Sequence, residues 1–200
     1  MLVTISRILG APVMSLRTGL PLAALQKPIV DPYSLRIVAF CVDGPRVGTD
    51  DAVLFVDDIR EFGDHGAIVD SADNIMSPDG LVRLEKIIDY DFDPMGINVV
   101  DDRHGRMGKV SDYVVDTLNY KIWQIVVKPG LLQSLSVSRL IVHREQITKV
   151  EPDRFTVHSP TVKSRQPASI PTDEGRILNP EYDNPFRHAN SGGRDSQYQN

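Results

Sequence analysis

Three groups of residues in this 200-residue chain have the types and spacing that could do chemistry. The first is the alternating carboxylate run Asp89, Asp91 and Asp93, which begins as a calcium loop does, with oxygen ligands at every second position. Such a loop needs glycine at its sixth position for a sharp turn and a bidentate glutamate at its twelfth. Those positions hold Pro94 and Val100, so the run reads as an acidic, solvated hinge. The second group, Arg103, His104, Arg106 and Lys109, gathers cations around one turn. Of these, Arg103, Arg106 and Lys109 are weak candidates for phosphate contact, and a solvated hairpin tip explains them equally well. The third is the loop 129–137, where Leu131, Leu132, Leu135 and Val137 put apolar side chains in a place that is ordinarily polar. Contiguous exposed apolar residues mark contact sites, which makes these four the candidate partner-binding residues. The plainer alternative is that they cap their own module or rest on a neighbouring helix.

Nothing in the remaining motifs points to catalysis. There is no Gly-x-Ser-x-Gly elbow for a nucleophile and no glycine-rich loop ending in Gly-Lys-Ser/Thr to cradle phosphate. The histidines, His65, His104, His143, His158 and His188, have no i, i+4 partner with glutamate between them, and none neighbours Cys41 in a ligand pattern. Asp57-Asp58 and Asp101-Asp102 fall at expected strand ends, where aspartate bonds its own turn backbone. The expectation is a protein that is not an enzyme, with no catalytic residue, cofactor or metal. The lone cysteine, Cys41, sits in the apolar run 37–42 and reads as a buried, inert thiol. With no internal disulfide, no secretory leader pattern and no apolar run near the roughly 18 residues of a membrane helix, the expected setting is cytoplasmic, without membrane insertion.

The elements that position these groups repeat. Residues 10–20 and 96–106 each place an apolar stretch before a turn closed by Gly19 or Gly105. Ile29-Val30-Asp31 matches Val114-Val115-Asp116, and Leu54-Phe55-Val56 leading to Ile59 matches Ile141-Val142-His143 leading to Ile147. Self-similarity at one spacing defines the architecture before any single element does. The expected organisation is a first, degenerate repeat over 8–70, a linker with an amphipathic helix over 71–95, a second repeat over 96–159, and a disordered tail over 160–200. Strands are expected at 13–16, 22–25, 35–42, 52–56 and 67–69, and again at 98–101, 109–116, 121–128, 140–143 and 154–158. Trp123, the sole tryptophan, falls on one of these and is expected in the core. Ser77-Pro78 reads as an N-cap and first helical residue, and Leu81, Leu84, Ile87 and Ile88 then recur at helical spacing, which predicts a helix over 78–89.

Charge separates the two repeats. The chain carries −5 overall, made of −3 over residues 1–72, −4 over 73–95, +2 over 96–160 and none over 161–200. Nucleic-acid binding ordinarily leaves a strong basic footprint, so no DNA partner is expected.

The run Gly105-Arg-Met-Gly-Lys-Val110, continued by Val114-Val115-Asp116, the strand 121–127 and the end at 142–147, resembles the PRC-barrel family. The likeness covers about residues 8–158. It is strong in the second copy and degenerate in the first, where Gly19-Leu-Pro-Leu-Ala stands in place of Gly-Lys-Val. The two-copy form with a linker helix resembles bacterial PRC-barrel proteins. The resemblance implies a mainly all-β fold of two small barrels in tandem, and no catalytic residues. It also implies a non-enzymatic adaptor or scaffold that binds protein partners. The alternative is a ribosome-associated or RNA-processing factor, by analogy with a ribosome maturation factor of that family. Partner identity and oligomeric state stay open at this stage.

Overall fold

Branched and aromatic runs punctuated by Gly, Pro and Asp build a strand-rich molecule. The computed structural model describes residues 1–45, 47, 51–103, 105–130 and 139–158. In chain order these form β1 (Leu2–Thr4), α1 (Ile5–Ile8), β2 (Pro12–Ser15), β3 (Pro21–Asp31), β4 (Arg36–Asp43), β5 (Val53–Phe55), β6 (Glu61–Gly63), β7 (Gly66–Val69) and β8 (Ile75–Met76). There follow α2 (Val82–Tyr90), β9 (Asn98–Asp101), β10 (Arg106–Asp116), β11 (Lys121–Lys128), β12 (Leu140–His143), β13 (Ile147–Glu151) and β14 (Arg154–Val157). Single 3₁₀ turns at Val56–Asp58 and Arg144–Gln146 follow β5 and β12. The fold is mostly β. The expected tail, 160–200, and the loop residues Leu131, Leu132, Leu135 and Val137 lie outside the described residues.

The two copies share one internal scheme of strand pairing. In the first, β2 runs antiparallel to β3 and parallel to β7, β3 pairs β4, β4 pairs β5, and β6 pairs β7. In the second, β9, β10, β11, β12, β13 and β14 take those same roles in the same order. The register is conserved between copies: Leu25 faces Val42 as Val110 faces Val127, and a bulge falls between Ile29 and Val30 as between Val114 and Val115. In the third matched segment the pairing shifts the correspondence by one residue. Leu54 faces Phe40 as Val142 faces Ile125, so Phe55 corresponds to His143 rather than to Val142. A strand has a side-chain period of two, and a one-residue slip would have exchanged its inner and outer faces.

The copies are not two closed barrels. Their strands join into one mixed sheet whose main path runs β13-β14-β9-β10-β11-β4-β3-β2-β7-β6, and the sheet is not closed. The join is a reciprocal pair of backbone bonds. Ile37 N–H donates to the Tyr120 carbonyl at 2.9 Å, and Ile122 N–H donates to the Leu35 carbonyl at 2.9 Å. Leu35 and Tyr120, equivalent residues, both hold a positive φ (49° and 56°), a backbone state such side chains seldom adopt. The leading segments are exchanged as well: α1, ahead of the first copy, packs on β10 of the second, while α2, ahead of the second, packs on β3 of the first. Leu25, Ile37 and Phe40 from one copy and Tyr113, Ile122 and Ile125 from the other accordingly share a single buried core.

The linker helix starts later than its sequence suggests. Gly80 takes a φ of +80°, which breaks the turn opened by Ser77 and Pro78, and α2 begins at Val82. In place of a serine cap, the Glu85 side chain accepts from Gly80 N–H at 2.9 Å.

Candidate functional site

Alternation along the strands gives each copy an inner face in the core and an outer face turned away from it. In the first copy the outer residues Ile29, Ala39 and Val53 are buried, with Val38, Cys41 and Phe55 packed around them. Their cover is α2, whose Leu84 is buried among them and whose Leu81 and Ile87 pack alongside. These are the residues whose helical spacing forms an apolar stripe, and the stripe lands on the sheet. At one rim Lys27 Nζ donates to Asp91 Oδ1 at 2.5 Å. That bond holds the Lys27 ammonium above its ordinary range and the Asp91 carboxyl below its own. A cavity of about 50 Å³ remains under the helix, lined in part by Ile29, Cys41 and Ile87. Burial pushes the Cys41 thiol upward, away from the reactive thiolate.

The equivalent face of the second copy has no such cover among the described residues. Register places Val114 where the first copy has Ile29, Gln124 where it has Ala39, Val126 where it has Cys41, and Ile141 where it has Val53. Trp123 stands where Val38 does. It is 50% exposed and Ile141 is 55% exposed. The tryptophan expected in the core therefore points outward, because the burial pattern of β11 puts Ile122, Ile125 and Val127 inward instead. Leu2 extends the apolar stripe: β1 pairs β10 with Leu2 opposite Asp116, Val3 is buried inward, and Leu2 is 54% exposed. The stripe thus crosses β1, β10, β11 and β12.

The polar groups around this stripe are unevenly engaged. Asp112 accepts from Ser6 Oγ at 2.7 Å, and Asp116 accepts from the N-terminal ammonium at 3.3 Å and from Leu118 N–H at 3.2 Å. The lysines are less engaged, although Lys121 has Asp116 opposite it on β10. Lys109 faces Lys128 directly across β10 and β11, Lys121 faces Arg36 across the join, and these lysine ammoniums make no ion pair among the described residues. At the positions of Lys109 and Lys128 the first copy has Ala24 and Asp43.

Asp101 organises the turn in which Arg103 lies, accepting from Arg103 N–H at 3.0 Å and Gly105 N–H at 2.6 Å. Arg106 and Lys109 lie on β10 beyond that turn, and the carboxylates Asp101 and Asp102 stand among them, Asp102 facing His158 at 3.3 Å. Those carboxylates interrupt the phosphate grouping. Asp57 pairs with Arg36, and Asp93 accepts from Met95 N–H at 2.9 Å, so these carboxylates serve the backbone and the join. An open cavity of about 390 Å³ beside the join includes Tyr33, Arg144 and Lys149 in its lining. Its cations are already engaged, Arg144 with the Leu35 carbonyl at 3.5 Å and Lys149 with Glu151 at 2.8 Å. The bare outer face is what motif reading misses. Its signal in the sequence is that Trp123 and Ile141 lie on strands where the first copy has Val38 and Val53, opposite a helix that occurs once.

No protein-family model matches the chain, and no curated protein matches it. No helix among the described residues is long and apolar enough to cross a membrane.

Proposed function

We propose that this protein is a non-enzymatic adaptor that binds a protein partner through the outer face of its second copy. The two copies are read as PRC-type modules whose sheet stays open, and the first serves as the structural companion of the second. The observation that carries the proposal is the difference in cover: one sheet face is buried under α2, while its equivalent leaves Leu2, Trp123 and Ile141 exposed. Large apolar side chains left exposed on neighbouring strands of one sheet face mark an interaction site. Aromatic anchors such as Trp123 are also the side chains that dominate interface energetics.

A photoreactive residue in place of Ile141 tests this in the native cell. One protein should be crosslinked with a yield insensitive to salt, and the same residue placed at Glu61 in the first copy should not capture it. No crosslink above the Glu61 background overturns the proposal. Crosslinks chiefly to ribosomal RNA would move the reading to the ribosome-associated alternative.

A further inference from the structure

We infer that the segment occupying the outer face of the second copy is an acidic amphipathic helix of the partner, a conclusion that rests on the adaptor reading above. Two independent features of the molecule point to it. The first is the cover of the equivalent face. The sheet of the first copy is sealed by α2, a helix that presents Leu81, Leu84 and Ile87 to Ile29, Ala39 and Val53. The second copy has the same strand order and register, with Val114, Gln124 and Ile141 at the matching outer positions and Val126 where the first copy has Cys41. A face of this geometry already takes a helix within the same chain, and an amphipathic helix binds through anchors at i, i+3, i+4 and i+7.

The second feature is charge. Like charges directly opposite on neighbouring strands are destabilising. Lys109 faces Lys128 in that way at one end of the stripe, whereas Lys121 at the other end has Asp116 opposite it. Asp112 is held by Ser6 and Asp116 lies opposite Lys121, whereas the ammoniums of Lys109 and Lys128 make no ion pair among the described residues. An apolar stripe with two facing, unpaired lysines at one end fits a helix whose rim carries Glu or Asp there. In the first copy the rim contact is likewise a lysine and an aspartate, Lys27 with Asp91. A helix with a basic rim would meet like charge at the Lys109–Lys128 end of the stripe.

The probe is a synthetic peptide of residues 77–91 of this chain with the substitutions R83E and K86E, which keeps the apolar stripe and makes its rim acidic. Trp123 is the sole tryptophan, so its emission reports the face directly. Added to the full chain, the peptide should shift Trp123 emission to the blue. Ile141→Lys should weaken binding by roughly tenfold or more, since a buried branched side chain is replaced by a charge. Lys128→Glu lies at an exposed strand end and leaves the core intact. It should weaken binding roughly threefold to tenfold and flatten the salt dependence, as loss of a rim charge does. A peptide with lysines at the same rim positions should not bind.

No emission change at millimolar acidic peptide, or an affinity unchanged in both variants, overturns the inference. A blue shift produced by raising the protein concentration alone, with a doubled sedimentation mass, assigns the face to a second copy and also overturns it. So does an increase in Trp123 quenching on removal of residues 160–200, which would assign it to the chain's own tail. The two proposals fail separately: a protein crosslinked through residue 141 that the acidic peptide does not displace leaves the adaptor standing and removes the helix.

Discussion

The two copies have one strand order and one register, yet they spend their outer faces differently. In the first, a nine-residue helix closes the sheet and its Leu84 is buried to 4% exposure. In the second, the same surface stays open, and its residues are larger where exposure would argue for polarity: Trp123 stands in place of Val38 and Ile141 in place of Val53. The cores differ in a complementary way. The second copy fills its interior with Phe155, packed edge-on against Phe92 with ring centroids 6.1 Å apart, where the first has Ala67 at the position of Phe155. The comparison shows a duplicated framework in which one half carries the stabilising cover and the other carries the exposed surface.

The largest effect should come from breaking the aromatic pair of the second copy. Phe155 is fully buried, and Phe155→Ala leaves a cavity beside Phe92. Truncation of a buried phenylalanine costs about 3–5 kcal/mol, readable as a lower midpoint in denaturant unfolding. Because both copies share one core, the transition should remain single, with the first copy lost together with the second. Two separated transitions would show that the halves fold independently.

Next in size is the contrast between the two outer faces. Leu84→Ala uncovers Ile29, Ala39 and Val53 and should cost about 2–4 kcal/mol, the range for a buried leucine. Ile141→Ala, at the matching place on the bare face, should change stability by less than about 0.5 kcal/mol, as exposed substitutions do. Equal effects from the two substitutions would mean that the second face has a cover of its own.

Much of this framework is legible in the residues themselves. Strands β9, β11 and β12 fall where their branched and aromatic runs predict, and Asp57-Asp58 lie in a turn after β5 as expected. What local reading misses is set by long-range pairing. β3 continues through Pro28 as one strand, carried by bulges against β4, although a proline there suggests a break. The short strands β1 and β8 exist because β10 and β5 offer them edges. Trp123 reads as core because aromatic residues in β-prone runs usually are. Its outward direction depends on the bulge beside Val114 and Val115, which is a property of the pair β10–β11 and not of either run alone. The bare face is invisible to motif reading for the same reason: it is defined by a helix that covers one copy only.

The smallest effect distinguishes the interiors by pH. Tyr113 and Tyr120 are buried, and their hydroxyls have no hydrogen-bond partner among the described residues, whereas the first copy has Pro28 and Leu35 at those positions. Burial raises both phenols, Tyr120 from an ordinary 10.0 up to about 12. A group whose folded pKa is raised contributes stability that is complete below its unfolded pKa and is lost as pH climbs toward the folded value. The melting temperature should accordingly hold up to about pH 10 and fall beyond it, through the window that ends near pH 12 for Tyr120. Tyr120→Phe removes an orphaned hydroxyl, so at neutral pH it should be neutral or stabilising by up to about 1 kcal/mol. It should also make the alkaline fall shallower, while Leu35→Phe in the first copy leaves the slope as it was. A loss of more than about 1 kcal/mol at neutral pH in Tyr120→Phe would show that the hydroxyl has a partner in solution. The second copy would then be held by a polar contact that the first lacks.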